Sequence, residues 1–206
     1  MYQEVLNDKG KIIFPYLEKF KDFYLAGGTA LALQMGHRIS IDFDFFCDKK
    51  ISKTLLNKVR KVFENKTVIP LVNNTDELTV LVEDVKITFL KYPFPVLHQL
   101  IDCDGLNLLS IKEIASTKAY SIGRRGVLKD YVDLYFIISK KETTLEEIIK
   151  ISEKKYGDIF NARLFLEQLI DVKNVEDTDI VFLKEKVNKK TLELFFEKEI
   201  GKLKLS

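Results

Sequence analysis

The sequence predicts an α+β protein in which a small mixed-sheet domain over residues 1–105 precedes a C-terminal helical bundle over residues 106–206. Two observations carry that expectation. Before residue 105 short β-rich runs dominate; from residue 110 onward apolar residues recur at three- and four-residue steps. A chain of 206 residues, 46% of them hydrophobic, fits one domain or two small ones and can bury a sizeable core.

In the first half, amphipathic helices are expected at 12–21 and 52–64, and strands at 40–46, 66–72, 78–83 and 85–91. The runs LTVLV and VKITFL flank Glu83-Asp84 and read as a hairpin with a two-residue turn, although neither turn residue is the glycine such turns prefer. In the second half, SIKEIASTKAYSIGRR, LKDYVDLYFIISK, TTLEEIIKISEKKY, NARLFLEQLI and KKTLELFFEKEIGKL each read as an amphipathic helix. Ser110 and Glu113 stand at the spacing of a capping box at the head of the first of these. No internal repeat, low-complexity tract or long linker interrupts the pattern.

Charge is nearly balanced: 33 Lys and Arg against 31 Asp and Glu give a net charge of +2, which does not announce a nucleic-acid binder. KVRKVFENK and LKEKVNKK supply local positive charge, as the solvated faces of amphipathic helices usually do. Cys47 and Cys103 lack the spacing of a disulfide scaffold or zinc site and read as reduced core thiols of a cytoplasmic protein. No stretch approaches the ~20 apolar residues of a membrane helix, so neither secretion nor a membrane partner is expected.

The stretch FYLAGGTALALQMGHRISIDFDFF carries the chemistry. Strand alternation sends Ile41, Phe43 and Phe45 to one face and Asp42, Asp44 and Phe46 to the other, with the two carboxylates side by side. Their Cβ atoms are expected roughly 6 to 7 Å apart, near enough for both side chains to lean onto one hard cation such as Mg²⁺ or Mn²⁺. Upstream, Gly27-Gly28, with Thr29 behind them, opens a short helical run that Gly36 ends. The free N–H groups at such a helix head can face a phosphate. Arg38, between helix and strand, is near enough in sequence to pair with the aspartates or with phosphate, and the role of His37 stays open.

The run GGTALALQMGHRISIDFDFF resembles the nucleotidyltransferase signature of the AbiEii/AbiGii toxin family, within the DNA polymerase β-like nucleotidyltransferase superfamily. EIASTKAYSIGRRGVLKDYVDLY is similar to the family's later motifs, an acidic residue followed by a lysine on one helix and a Lys-Asp-x-x-Asp on the next. The resemblance covers roughly residues 20–140. It implies that Gly27 and Gly28 form the phosphate-facing turn, with Gly28 where many superfamily members have serine, and that Asp42 and Asp44 are metal ligands. It further matches Lys118 to the motif lysine, Lys129, Asp130 and Asp133 to Lys-Asp-x-x-Asp, and Glu113 to the usual aspartate. Helical spacing puts Lys118, Ser121, Ile122 and Arg125 on one side, so Lys118 and Arg125 are expected to face triphosphate together, with Lys118 bordering the sheet domain. Lys129 and Asp133 are an i, i+4 pair.

One departure stands out. Superfamily members typically add a third carboxylate from a neighbouring strand, here VKITFL, whose alternation puts Lys86, Thr88 and Leu90 on one face and no acid on either. The sequence allows three explanations, in this order of preference: a single metal suffices, an acid from elsewhere such as Asp130 completes the site, or the protein binds nucleotide without turnover.

The resemblance thus implies metal-dependent transfer of a nucleoside monophosphate from an NTP to an acceptor hydroxyl, such as that of tRNA, with release of pyrophosphate. Asp42, Asp44, Lys118, Asp130 and Asp133 are the catalytic candidates; Gly27, Gly28, Thr29, Arg38, Lys118, Arg125 and Lys129 are the candidates for holding the nucleotide. The implied setting is a type IV toxin–antitoxin or abortive-infection module with a cognate antitoxin. The alternative is a catalytically degenerate protein of the same fold that binds a nucleotide or a protein partner.

Overall fold

The computed structural model describes residues 1–203, which form two compact units: residues 1–95 with 99–109, and residues 96–98 with those from 110 onward. The first unit is built on a seven-stranded mixed sheet in the order β3-β4-β5-β2-β1-β7-β6. Its strands are β1 (Tyr24–Ala26), β2 (Phe43–Cys47), β3 (Val68–Asn73), β4 (Glu77–Val82), β5 (Val85–Lys91), β6 (Ile101–Cys103) and β7 (Leu106–Leu108). At its centre β2 runs parallel to β5 and antiparallel to β1.

The register of β2 on β5 decides which side chains face the core. Phe43 pairs with Ile87 and Phe45 with Phe89, all four fully buried, whereas Asp44, opposite Thr88, is half-buried. Phe45 stacks on Phe89 with centroids 5.2 Å apart, and Phe20 reaches Phe89 at 4.9 Å. This aromatic layer is wide, and burying it outweighs weak local propensities in fixing the register. Strand β2 begins at Phe43, three residues later than the alternation predicts, and Ile41 is exposed rather than buried beside Phe43.

The hairpin expected around Glu83-Asp84 is present, with Val82 paired to Val85. Both turn residues take positive φ, 49° and 67°, as a tight two-residue turn requires of any residue placed there. The N-terminal helix differs from expectation: α1 spans Asp8–Ile13, capped by Asn7, and Phe14–Lys19 continue as a 3₁₀ helix. Pro15 explains the change of winding, since it lacks the N–H that an α-helix would use. Helices α2 (Gly27–Met35) and α3 (Leu55–Val62) complete the unit.

In the second unit, α4 (Ile111–Ile122), α5 (Leu128–Ser139), α6 (Leu145–Tyr156), α7 (Ala162–Ile170) and α8 (Lys189–Ile200) form the bundle. Residues 130–138 of α5 are all buried, so α5 is its central rod. The capping box expected of Ser110 and Glu113 does not form: Ser110 is the N-cap by backbone only. The Glu113 carboxylate is instead buried, where it accepts from the backbone N–H groups of Leu97 (2.7 Å) and His98 (3.0 Å) and pairs with Lys155 Nζ at 2.5 Å. This network is why residues 96–98 travel with the helices and not with the strands on either side.

Burial alone would push the Glu113 carboxyl up, but Lys155, His98 and the Leu97 amide together hold it below the usual carboxylate value. A depressed carboxylate contributes stability above its unfolded pKa and loses it as pH falls through the lower folded value. Glu113→Gln is therefore expected to cost about 3 kcal/mol at neutral pH, because Lys155 is left charged and buried without its partner. Acid titration of stability should show a loss below about pH 4 that this variant lacks.

Candidate active site

Two features of the sequence that lie apart along the chain meet in the first unit. Gly27 opens α2 with φ +65°, and a Cβ there would stand 2.8 Å from Asp44 Oδ2. Ala26 is paired with Asp44 across β1 and β2, so the glycine turn packs directly against the carboxylate. Thr29 Oγ1 donates to the carbonyl of Asp42 and lies 2.7 Å from Ser40 Oγ. The threonine expected to face phosphate is thus buried, and its hydroxyl bolts the head of α2 to the backbone that carries Asp42.

Gly28 has a different neighbour. A Cβ on Gly28 would collide with Arg38 Nη2, so the absence of a side chain there is what admits the guanidinium. Arg38 is buried and donates through Nη1 to the Ile39 carbonyl; His37 is buried as well. The N-cap of α2 is Ala26, whose side chain supplies no cap. The N–H groups at the head of the helix therefore receive no acceptor from the N-cap side chain.

Gly27→Ala follows as a sharp test of this packing. A left-handed φ costs a non-glycine residue about 1–2 kcal/mol, and the methyl would also push Asp44 aside. A fall in melting temperature consistent with that cost is expected relative to the parent; an unchanged melting temperature would remove the contact.

Asp42 and Asp44 are half-buried, and the ammonium of Lys86 sits 3.0 Å from Asp42 Oδ2. No group of three or more His, Cys, Asp or Glu side chains that could hold a metal ion occurs among the described residues. The carboxylate pair is still a donor set suited to one hard divalent cation, being two oxygen ligands beside a cradle that a Cβ at Gly27 would fill.

The second unit gathers the other candidates. Lys118 on α4 is buried, with Nζ 2.6 Å from Asp130 Oδ1 and 2.8 Å from Asp133 Oδ2 on α5. Asp133 thus pairs with Lys118, not with Lys129 as the i, i+4 spacing suggests. Asp130 Oδ2 is buried and has no hydrogen-bond partner among the described residues. Arg125 lies exposed beyond the end of α4, so the helical face expected to carry it stops short of it. Lys129 is half-buried in the first turn of α5.

The fold is that of nucleotidyltransferases. It is similar to that of MenT4, a nucleotidyltransferase toxin from Mycobacterium tuberculosis H37Rv, with a TM-score of 0.63 and 16% identity over 90% of this chain and 77% of that one. It is similar also to JHP933 from Helicobacter pylori, with a TM-score of 0.54 and 17% identity over 95% of this chain and 97% of that one. An uncharacterized protein of Aquifex aeolicus is 37% identical over 140 residues, 67% of this chain and 68% of that protein. The chain belongs to the family described as "Nucleotidyl transferase AbiEii toxin, Type IV TA system", which it matches over residues 14–204. No helix among the described residues is long and apolar enough to cross a membrane.

Proposed function

We propose that this nucleotidyltransferase moves a nucleoside monophosphate from an NTP to an acceptor hydroxyl, with tRNA as the acceptor class. The observation that carries the reading is the head of α2, with Ala26 as its N-cap, held against Asp42 and Asp44 by Gly27 and Thr29. A triphosphate placed there meets backbone N–H donors on one side and carboxylates on the other, an arrangement that needs a cation between them.

Asp42 and Asp44 would hold Mg²⁺ or Mn²⁺, which neutralises charge on the phosphates and on the departing pyrophosphate. The Gly27-Gly28 turn orients the triphosphate, and Arg38 supports it from behind Gly28. The acceptor oxygen forms the new bond to the α-phosphorus, the bond from that phosphorus to the bridging oxygen breaks, and the electron pair leaves on pyrophosphate. The hydroxyl proton is lost to solvent; Lys118, Asp130 and Asp133, which form a buried cluster within the second unit, are the further catalytic candidates. Lys129 and Arg125 give the second unit positive charge suited to a phosphate-bearing partner. A cognate antitoxin and a cytoplasmic setting accompany this reading.

The rival, a degenerate binder of nucleotide or protein, draws on Lys86, which stands beside Asp42 on the strand where a third acid would be sought. Incubating the protein with Mg²⁺, total RNA and each labelled NTP separates the two. Labelled RNA with at least one NTP is expected; nucleotide binding with no labelled acceptor under any condition would favour the rival.

A further inference from the structure

We infer that Lys86 is a working part of the nucleotide site: a built-in cation that pairs with Asp42 when metal is absent and with the triphosphate once metal takes the carboxylate. The inference rests on the reading of Asp42 and Asp44 as metal ligands. It begins from the register. Strands β2 and β5 run parallel with Asp44 opposite Thr88 and Phe43 opposite Ile87, so Asp42, the residue just ahead of β2, comes level with Lys86 on β5, and the two side chains meet at 3.0 Å.

The placement is set by the sheet and not by a mobile loop. Ile87 and Phe89 are buried on one face, which fixes Lys86 and Thr88 on the other, the face of Asp44. On β4, the residue opposite Lys86 is Leu81 and the one opposite Thr88 is Thr79, which hydrogen-bonds Thr88 and Glu77. No acid on β5 therefore competes with Asp42 for the lysine, and none adds a third carboxylate ligand.

Charge decides what the ammonium does. A dication held by Asp42 repels a lysine 3 Å from the same oxygen, so metal binding must turn Lys86 away. Its side chain is 43% exposed, which leaves room for that swing on a flexible four-carbon stem. A triphosphate that arrives with the metal carries more negative charge than one dication neutralises, and the displaced ammonium is a strand-borne group able to answer it. A second metal, which a third carboxylate would recruit, is replaced by a cation supplied by the chain.

Mn²⁺ binding followed by electron paramagnetic resonance, alone and with inorganic tripolyphosphate, tests this without any turnover. Lys86→Met keeps the apolar stem and removes the charge. It is expected to bind Mn²⁺ alone about fivefold more tightly and Mn²⁺-tripolyphosphate about tenfold more weakly than the parent. Unchanged or weaker Mn²⁺ binding, or unchanged tripolyphosphate binding, would overturn the assignment, since a mere surface ion pair moves neither in opposite directions. Asp44→Asn serves as the control. Loss of Mn²⁺ there with parent-like behaviour of Lys86→Met sinks the lysine alone, whereas parent-like Mn²⁺ binding in Asp44→Asn sinks the metal reading and the lysine with it.

Discussion

Asp44→Asn will lower nucleotide transfer by about a hundred- to a thousandfold while the protein stays folded, the range seen when one preorganised electrostatic contact to a developing charge is removed. The carboxamide has the shape of the carboxylate, and Asp44 points to the face of β2 opposite the Phe43 and Phe45 core. Its contact with Gly27 is steric and survives the change. What is lost is the charge that a hard cation requires. Asp42→Asn should behave alike in transfer, with the added consequence that Lys86 loses its partner. Melting temperatures close to the parent, with transfer undiminished, would remove both residues from the chemistry.

Lys118→Ala will destabilise the helical unit by about 3–5 kcal/mol, the usual consequence of breaking a buried ion pair from one side. From the sequence Lys118 is expected to face triphosphate from the border of its helix, a place where its loss matters little to stability. In the structure the ammonium bridges Asp130 and Asp133, and all three side chains are nearly or fully buried. Without the lysine two carboxylates on one turn of α5 face each other with little water between them. Urea denaturation should therefore show a large drop for Lys118→Ala and a smaller one when Asp133→Asn accompanies it, since the second change removes one stranded charge. A near-neutral Lys118→Ala would mean the cluster is open to solvent.

The division of the chain into strands and then helices was legible because hydrophobic period is set by burial, and both units bury a wide apolar surface. The hairpin at Glu83-Asp84 was legible too, from the flanking alternation alone. The strands β1, β6 and β7 were not, being three residues each and too short to display a period. A signal for the last two was nonetheless present in Asp104-Gly105, an Asp-Gly turn in which both residues take positive φ. At the site, glycines and aspartates could be picked out by residue type, since few structural tasks call for that combination. The partners could not: that Gly28 makes room for Arg38, that Thr29 faces Asp42 from behind and that Glu113 holds Lys155 all depend on packing between segments distant in sequence.

The central claim, transfer of a nucleoside monophosphate, is tested most directly by comparing the same NTP labelled at its α-phosphate and at its γ-phosphate, each incubated with the protein, Mg²⁺ and RNA. The account predicts that the α-label becomes attached to the acceptor while the γ-label is released as pyrophosphate in equal amount. Attachment of the γ-label, which would mark a phosphoryl transfer, or release of γ-label with no α-label on any acceptor, would contradict it.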